Sequence, residues 1–169
     1  VYWFVILFLV AGAVVYMVWA FYGNPLDVRE VEANVMINNV AECLSKNGKL
    51  AYELNDDLRN NFMEICHFNF DTEFEGQGEY YLMVEFYDFD SYPESEPNFK
   101  ITEGNANLHN YYKDASKSNS IVAVEKSFYV LDEMEVSFIL DNPEETTLVQ
   151  DEMLVKTLSM VRKTEKNVI

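Results

Sequence analysis

The densest group of potentially reactive side chains in this 169-residue chain is an acidic stretch at residues 87–96. Asp88 and Asp90 alternate within it, so on an extended segment their carboxylates would lie on the same side. Hard cations such as Ca²⁺ prefer several oxygen ligands, which makes this pair a weak calcium candidate. The alternative is a solvated, charged loop at a sheet edge, where acids discourage pairing with other strands. We favour the loop, because the spacing matches no known cation site.

Two cysteines and two histidines are the other residues with recognisable site chemistry. Cys43 and Cys66 each lie near the end of a predicted helix, and we expect a disulfide between them if this part of the chain faces an oxidising compartment. Two small buried thiols are the alternative. His67 and His109 do not complete a four-ligand zinc site with the cysteines, so no structural metal is predicted.

The rest of the sequence lacks the short motifs of phosphate-binding loops, serine hydrolases, zinc proteases and EF-hands. With 29 acidic and 12 basic residues the formal net charge is −17, and nucleic acid is not an expected partner, because phosphate backbones bind basic surfaces. The acidity fits solvation in high salt, repulsion between neighbouring copies, or a plain acidic surface. We therefore expect a protein that is not an enzyme, with no cofactor and no small-molecule substrate.

The elements that must position these residues begin with an apolar segment. Residues 1–22 contain no acid or base, and the first such residue is Asp27. At about 1.5 Å per residue a helix of this length reaches roughly 33 Å, enough to cross a hydrocarbon layer of about 30 Å. Aromatic residues near both ends match the belts of membrane spans, and no small-residue cleavage pattern closes the segment. A lipid anchor and a filament core both demand this composition, so both interpretations stay open.

One face of this apolar helix is the candidate surface for contact with like helices. Gly12 permits close approach of two backbones, and the remaining members of the face follow at helical spacing. The predicted packing residues are Val5, Leu9, Gly12, Val15 and Trp19. A break is expected at Gly23 and Pro25, because glycine is permissive and proline lacks the N–H donor. No Lys or Arg precedes Val1, and we expect that a basic leader was removed or that the start is missing.

After the break, residues 26–169 predict one acidic α+β head, separate from an apolar helix region at residues 1–25. An amphipathic helix is predicted over about residues 27–46, and Asn47-Gly48 supplies its stop. Its apolar stripe consists of Val28, Val31, Val35, Val40 and Leu44. We expect this stripe to pack on the head, with a partner-binding face as the alternative.

A second amphipathic helix is predicted at about residues 56–66, with Asn55 as its cap. Alternating and β-branched segments then predict strands at about residues 79–89, 99–102, 121–131, 135–140 and 152–162. The predicted fold class is α+β: a long N-terminal hydrophobic helix, then an antiparallel sheet with two short amphipathic helices.

A hydrophobic N-terminal helix, an amphipathic segment and a strand-rich head together resemble archaeal type IV pilin-like proteins, which carry class III signal peptides. The resemblance is architectural, and residues 1 to about 45 carry it most specifically. Many pilins have Glu at the fifth mature position, where this chain has Val5. Residues 21–50 are also similar to single-span proteins of small-genome archaea, a likeness that implies no biochemical activity.

The pilin resemblance implies a structural, adhesion-type subunit that sits in the cytoplasmic membrane first and then polymerises. Its N-terminal helix would pack with identical copies into the core of a helical filament on the cell surface. The alternative is a single-pass membrane protein with an outward-facing binding or assembly-accessory domain, which uses the same helix only as an anchor.

Overall fold

The computed structural model describes residues 2–22, 27–70, 73–74, 77–112, 120–137 and 146–164. The apolar segment forms one helix, α1 (Tyr2–Tyr22), and none of its side chains is buried. The predicted break at Gly23 and Pro25 lies outside the described residues.

The next helix, α2 (Arg29–Leu44), packs on the sheet with a different face from the one predicted. Its buried residues are Arg29, Ala33, Met36, Ile37, Val40 and Leu44, which recur every three or four positions. Val31 and Val35 are exposed instead, by 62% and 49%. The predicted stripe was therefore wrong in its first half. It followed the valines, whereas the helix buries the adjacent face on which the smaller Ala33 allows close contact.

The segment after α2 is a tight hairpin, although Asn47-Gly48 was predicted only to end the helix. Strands β1 (Ser45–Lys46) and β2 (Lys49–Leu50) are joined by Asn47 and Gly48, both with positive φ. An Asn-Gly pair favours this two-residue turn, because both residues tolerate the left-handed region. The helix consequently ends at Leu44 and not near residue 46.

Helix α3 (Asp56–Ile65) begins where Asn55 was predicted to cap it, and the Asn55 Oδ1 accepts a 2.9 Å hydrogen bond from the Leu58 N–H. Cys43 and Cys66 form a disulfide that joins the last turn of α2 to the C-terminus of α3, with the two Cα atoms 5.5 Å apart. The bridge therefore fixes both helices against the same side of the sheet.

Six strands form the main sheet, which curls into a half-barrel in the order β1-β2-β7-β8-β5-β6. Its longer strands are β5 (Tyr80–Asp88), β6 (Phe99–Gly104), β7 (Ile121–Ser137) and β8 (Thr146–Arg162). A separate two-stranded ladder joins β3 (Glu73–Phe74) and β4 (Gln77–Gly78). The α+β class is confirmed, but the sheet is mixed, because β2 pairs with β7 in parallel through Lys49 and Leu131.

Strands β7 and β8 are longer than predicted. The two segments expected at residues 121–131 and 135–140 are one strand as far as Ser137, paired without interruption to β8. The gap predicted between these two segments does not exist, because backbone pairing with β8 continues through residues 132–134. Residues 138–140 lie outside the described part of the chain.

The core lies mainly between the sheet and the two helices α2 and α3. On that side Leu82, Val84 and Phe86 of β5 are fully buried against residues of α2 and α3. The opposite side of the sheet is partly covered by α4 (Ala106–Tyr112), whose Leu108 packs on a cluster that includes Tyr81 and Met160. Both faces of β5 are therefore buried, which explains its nearly continuous apolar sequence.

Candidate functional site

The largest apolar surface of the described chain is α1 itself. The helix is long and apolar enough to cross a membrane, with a mean hydropathy of 2.6 over its most apolar window. Every large side chain on it is exposed, from 37% at Ile6 to 85% at Tyr22. Apolar side chains on all faces of a helix are stable only when lipid or protein covers them. This surface is therefore the first candidate for function.

The predicted packing residues occupy one side of α1. At 100° per residue, Val5, Leu9, Gly12, Val15 and Trp19 fall within a sector of about 120°. A Cβ added at Gly12 would meet nothing within 4 Å, so this position is an open notch in the surface. Val14 lies on the opposite side of the helix. The geometry leaves the face accessible, and its contact with other helices stays a prediction.

A second apolar surface is a groove beside α2, with a cavity of about 460 Å³. The exposed side of α2 forms its wall, and the segment 68–70 together with Tyr80 forms its floor. We call it the α2 groove; its lining residues are Val28, Val31, Glu32, Val35, Met36, Asn39, Phe68, Asn69, Phe70 and Tyr80. The rings of Phe68 and Phe70 are 5.8 Å apart, and that of Phe70 stacks on Tyr80 at 5.6 Å. These contacts give the groove an aromatic floor.

Glu32 is the one acidic residue among those that line this groove, and a charged pair lies beside its first lining residue, Val28. At the start of α2 the Arg29 Nε donates a 2.8 Å hydrogen bond to Asp27, and this bond holds the pKa of Asp27 down to about 2. Burial and the nearby carboxylates of Glu32 and Glu79 raise the pKa of Tyr80. The Tyr80 hydroxyl therefore stays neutral, and Glu32 is the one charged side chain in an otherwise largely apolar lining.

The sheet also carries a ladder of ionisable side chains on the side facing away from α2. The Lys100 Nζ donates to Glu85 Oε1 at 2.7 Å, and the Tyr87 hydroxyl donates to Glu85 Oε2 at 3.0 Å. Lys156 lies beside Glu85 in the register and pairs with Glu125 at 3.2 Å. Burial lowers the pKa of Lys156, but the hydrogen bond and charge of Glu125 outweigh that effect and raise it. Each of these groups has a partner of opposite charge or a hydrogen-bonding partner. We therefore interpret the ladder as a contribution to the stability of the sheet.

The weak calcium candidate does not have the geometry expected of it. Asp88 is the last residue of β5, and Asp90 lies in a 3₁₀ turn at Phe89–Ser91, so the two are not on one extended segment. The Asp88 Oδ1 accepts a 2.6 Å hydrogen bond from the Asn98 amide. Within the described ranges no group of three or more His, Cys, Asp or Glu side chains could hold a metal ion.

The α2 groove is the feature that sequence reasoning missed. The sequence did carry a sign of this groove. Val28, Val31 and Val35 lie on one face of α2, next to the face that carries Ala33, Ile37 and Val40. Two apolar faces on one helix indicate two contacts. The partner-binding alternative therefore concerns the first half of the stripe, where Val31 and Val35 are exposed, and it stays a prediction.

Comparisons with known proteins give no match: no family model, curated protein or solved structure is similar to this chain.

Proposed function

We propose that this protein is a structural subunit that polymerises through α1 into an extracellular, type IV pilus-like filament. One observation carries the proposal: α1 is a 21-residue helix without a charged residue, and none of its side chains is buried by the rest of the chain. Burial against identical helices removes that surface from water or lipid, which gives assembly its driving force.

The head suits the outside of such an assembly. All the charged residues follow residue 26, so a filament with α1 at its centre keeps the charges in solvent and none in the core. The Cys43–Cys66 disulfide supports an oxidising location for the head, because disulfides persist outside the cytosol. The membrane would hold the subunit through α1 before assembly.

The second candidate function is a single-pass membrane protein with an outward-facing binding or assembly-accessory head. The aromatic residues at both ends of α1 favour it, because Trp and Tyr are enriched at membrane interfaces. The two candidates make different demands on Gly12. Close packing of like helices needs a small residue there, whereas a lipid anchor accepts any apolar residue.

Electron microscopy of sheared surface material, with mass spectrometry of the N-terminus, tests the proposal directly. Filaments built of this chain are the expected result. The Gly12→Phe variant should abolish them and leave membrane insertion intact, and Val14→Phe on the opposite side of α1 is the matched control. If the protein occurs only in detergent-extracted membrane, and Gly12→Phe and Val14→Phe behave alike, the anchor function replaces the filament.

A further inference from the structure

The α2 groove is an apolar surface on a strongly acidic head. Val31 and Val35 are exposed along its rim, and Phe68 and Phe70 form part of its floor. An exposed apolar surface rimmed by polar residues marks an interaction site. Its volume of about 460 Å³ is within the range of pockets that bury small ligands, so it accommodates side chains and not a whole helix.

We propose that the α2 groove is the docking site for the C-terminal aromatic end of α1, Trp19 with Tyr22, from a second copy of this chain. The proposal rests on the assembly proposed above and names the surface of the head that takes part in it.

Charge argues for this occupant. With a net charge of −17, a second head brought against the groove would add further acids beside Glu32, which lines it. Like charges in contact oppose association. Residues 1–22 contain no charge, so α1 is the part of a second copy that can enter without this cost. Trp19 and Tyr22 also bring N–H and O–H donors to a wall that carries the Glu32 carboxylate.

Position along the chain also favours a neighbouring α1. Val28, the first lining residue, follows Tyr22 by six residues, a reach of at most about 21 Å. When α1 helices lie side by side, the aromatic end of one copy therefore arrives near the groove of the next. The same copy's α1 does not fill the groove, since none of its side chains is buried.

Lipid is the less suitable occupant. The 21 residues of α1 span about 32 Å, which already matches the hydrocarbon thickness of a bilayer. The groove begins at Val28, directly beside the charged pair of Asp27 and Arg29, which a lipid chain would have to pass. Charged groups are costly in hydrocarbon, so this pair keeps the groove above the bilayer core.

Cross-linking between two differently tagged, co-expressed full-length copies tests the docking. One copy carries Tyr22→Cys and the other Val31→Cys, so a linked product of mixed tags joins two molecules and not one. A short bismaleimide leaves the native disulfide undisturbed. The matched control is Asn107→Cys, which is exposed on α4, on the opposite side of the sheet from α2. We expect at least a tenfold higher yield with Val31→Cys than with Asn107→Cys.

Copies that both carry Gly12→Cys report the contact between α1 helices separately. Gly12 cross-links with equal yields from Val31→Cys and Asn107→Cys would overturn the groove proposal and leave the assembly standing. No mixed-tag product and no Gly12 product would overturn both. A nitroxide at Val31→Cys with the oxygen accessibility of the bilayer core would assign the groove to lipid, which also overturns the proposal.

A charge variant gives a second measurement on the same surface. Val35→Asp places a carboxylate at the rim, while Asn107→Asp places one on α4, on the opposite side of the sheet. We expect Val35→Asp, in the Tyr22→Cys and Val31→Cys background, to lower the mixed-tag yield at least tenfold, and Asn107→Asp to leave it unchanged. Equal yields from the two variants, with both heads folded by circular dichroism, would contradict the proposal.

Discussion

Removal of the Cys43–Cys66 disulfide should destabilise the head without changing its core. The bridge spans 23 positions and closes a loop that contains the β1–β2 hairpin and α3. In the chain-entropy treatment a loop of that length restricts the unfolded chain by about 3.4 kcal/mol at 25 °C. Since about 1.4 kcal/mol is tenfold, the folding equilibrium should fall roughly 300-fold.

A loss of about 3.4 kcal/mol is large compared with the total free energy of unfolding of a domain of this size, which is about 5–15 kcal/mol. With a urea dependence of about 2 kcal/mol per molar, the unfolding midpoint of the Cys43→Ala, Cys66→Ala variant should fall by about 1.7 M. Both cysteines are half-buried, so their loss leaves the buried core between Val40, Leu44 and Phe62 in place. The effect should therefore arise mainly in the unfolded chain.

The assay is urea unfolding of the full chain in detergent micelles, followed by circular dichroism of the sheet and of tyrosine. Tryptophan fluorescence is unsuitable, because Trp3 and Trp19 both lie in α1 and do not report on the head. The reduced wild-type protein is the matched control and should unfold near the double variant. A midpoint within about 0.3 M of the oxidised wild type for both samples would refute the reasoning.

Three further perturbations test other parts of the head. Gly104→Ala should lower the free energy of unfolding in urea by about 2–4 kcal/mol, because its Cβ would lie 2.3 Å from the Tyr80 carbonyl oxygen at a positive φ. The control is Gly48→Ala, which has a similar positive φ but open space around it and should lower that free energy by only about 1 kcal/mol. Similar losses in the two variants would contradict the steric argument. Asn55→Ala should lower stability by about 1 kcal/mol through loss of the α3 cap, and an unchanged midpoint would show that the cap is dispensable. Burial and the hydrogen bond to Glu85 raise the pKa of Tyr87 to about 12. Because this folded pKa exceeds the unfolded value of about 10, the stability that the neutral Tyr87 hydroxyl contributes is complete below pH 10 and is lost between pH 10 and 12. A smaller loss of stability over that range in Tyr87→Phe than in the wild type is the expected result, and identical curves would refute the assignment.

Local patterns determined much of the architecture. The uninterrupted apolar run of residues 1–22 predicts α1 without reference to anything else, because its length and lack of charge are sufficient. Asn55 predicts the start of α3, since capping is a contact between residues three apart. The run at residues 80–87 predicts β5, because it is rich in residues that suit a pleated surface. In each case the information lies within a few residues of the element itself.

The failures have a different physical origin. Which face of α2 is buried depends on the shape of the sheet beneath it, so the valine stripe alone could not show that Val31 and Val35 remain exposed. The length of β7 depends on a partner strand that follows it in the sequence, and the parallel pair of Lys49 and Leu131 joins residues 82 positions apart. The calcium candidate failed because a turn after Asp88 ended the extended geometry on which it relied.

The sequence by itself determined that this protein has a charge-free helix able to cross a membrane and a strongly acidic α+β head. Composition and short-range periodicity decide those properties, because hydrophobicity and charge belong to the residues and not to their arrangement. Only the tertiary structure decided that Cys43 is bonded to Cys66 and that α2, residues 68–70 and Tyr80 enclose an apolar groove. Both features bring together segments more than twenty residues apart, and their approach is set by the packing of helices on the sheet.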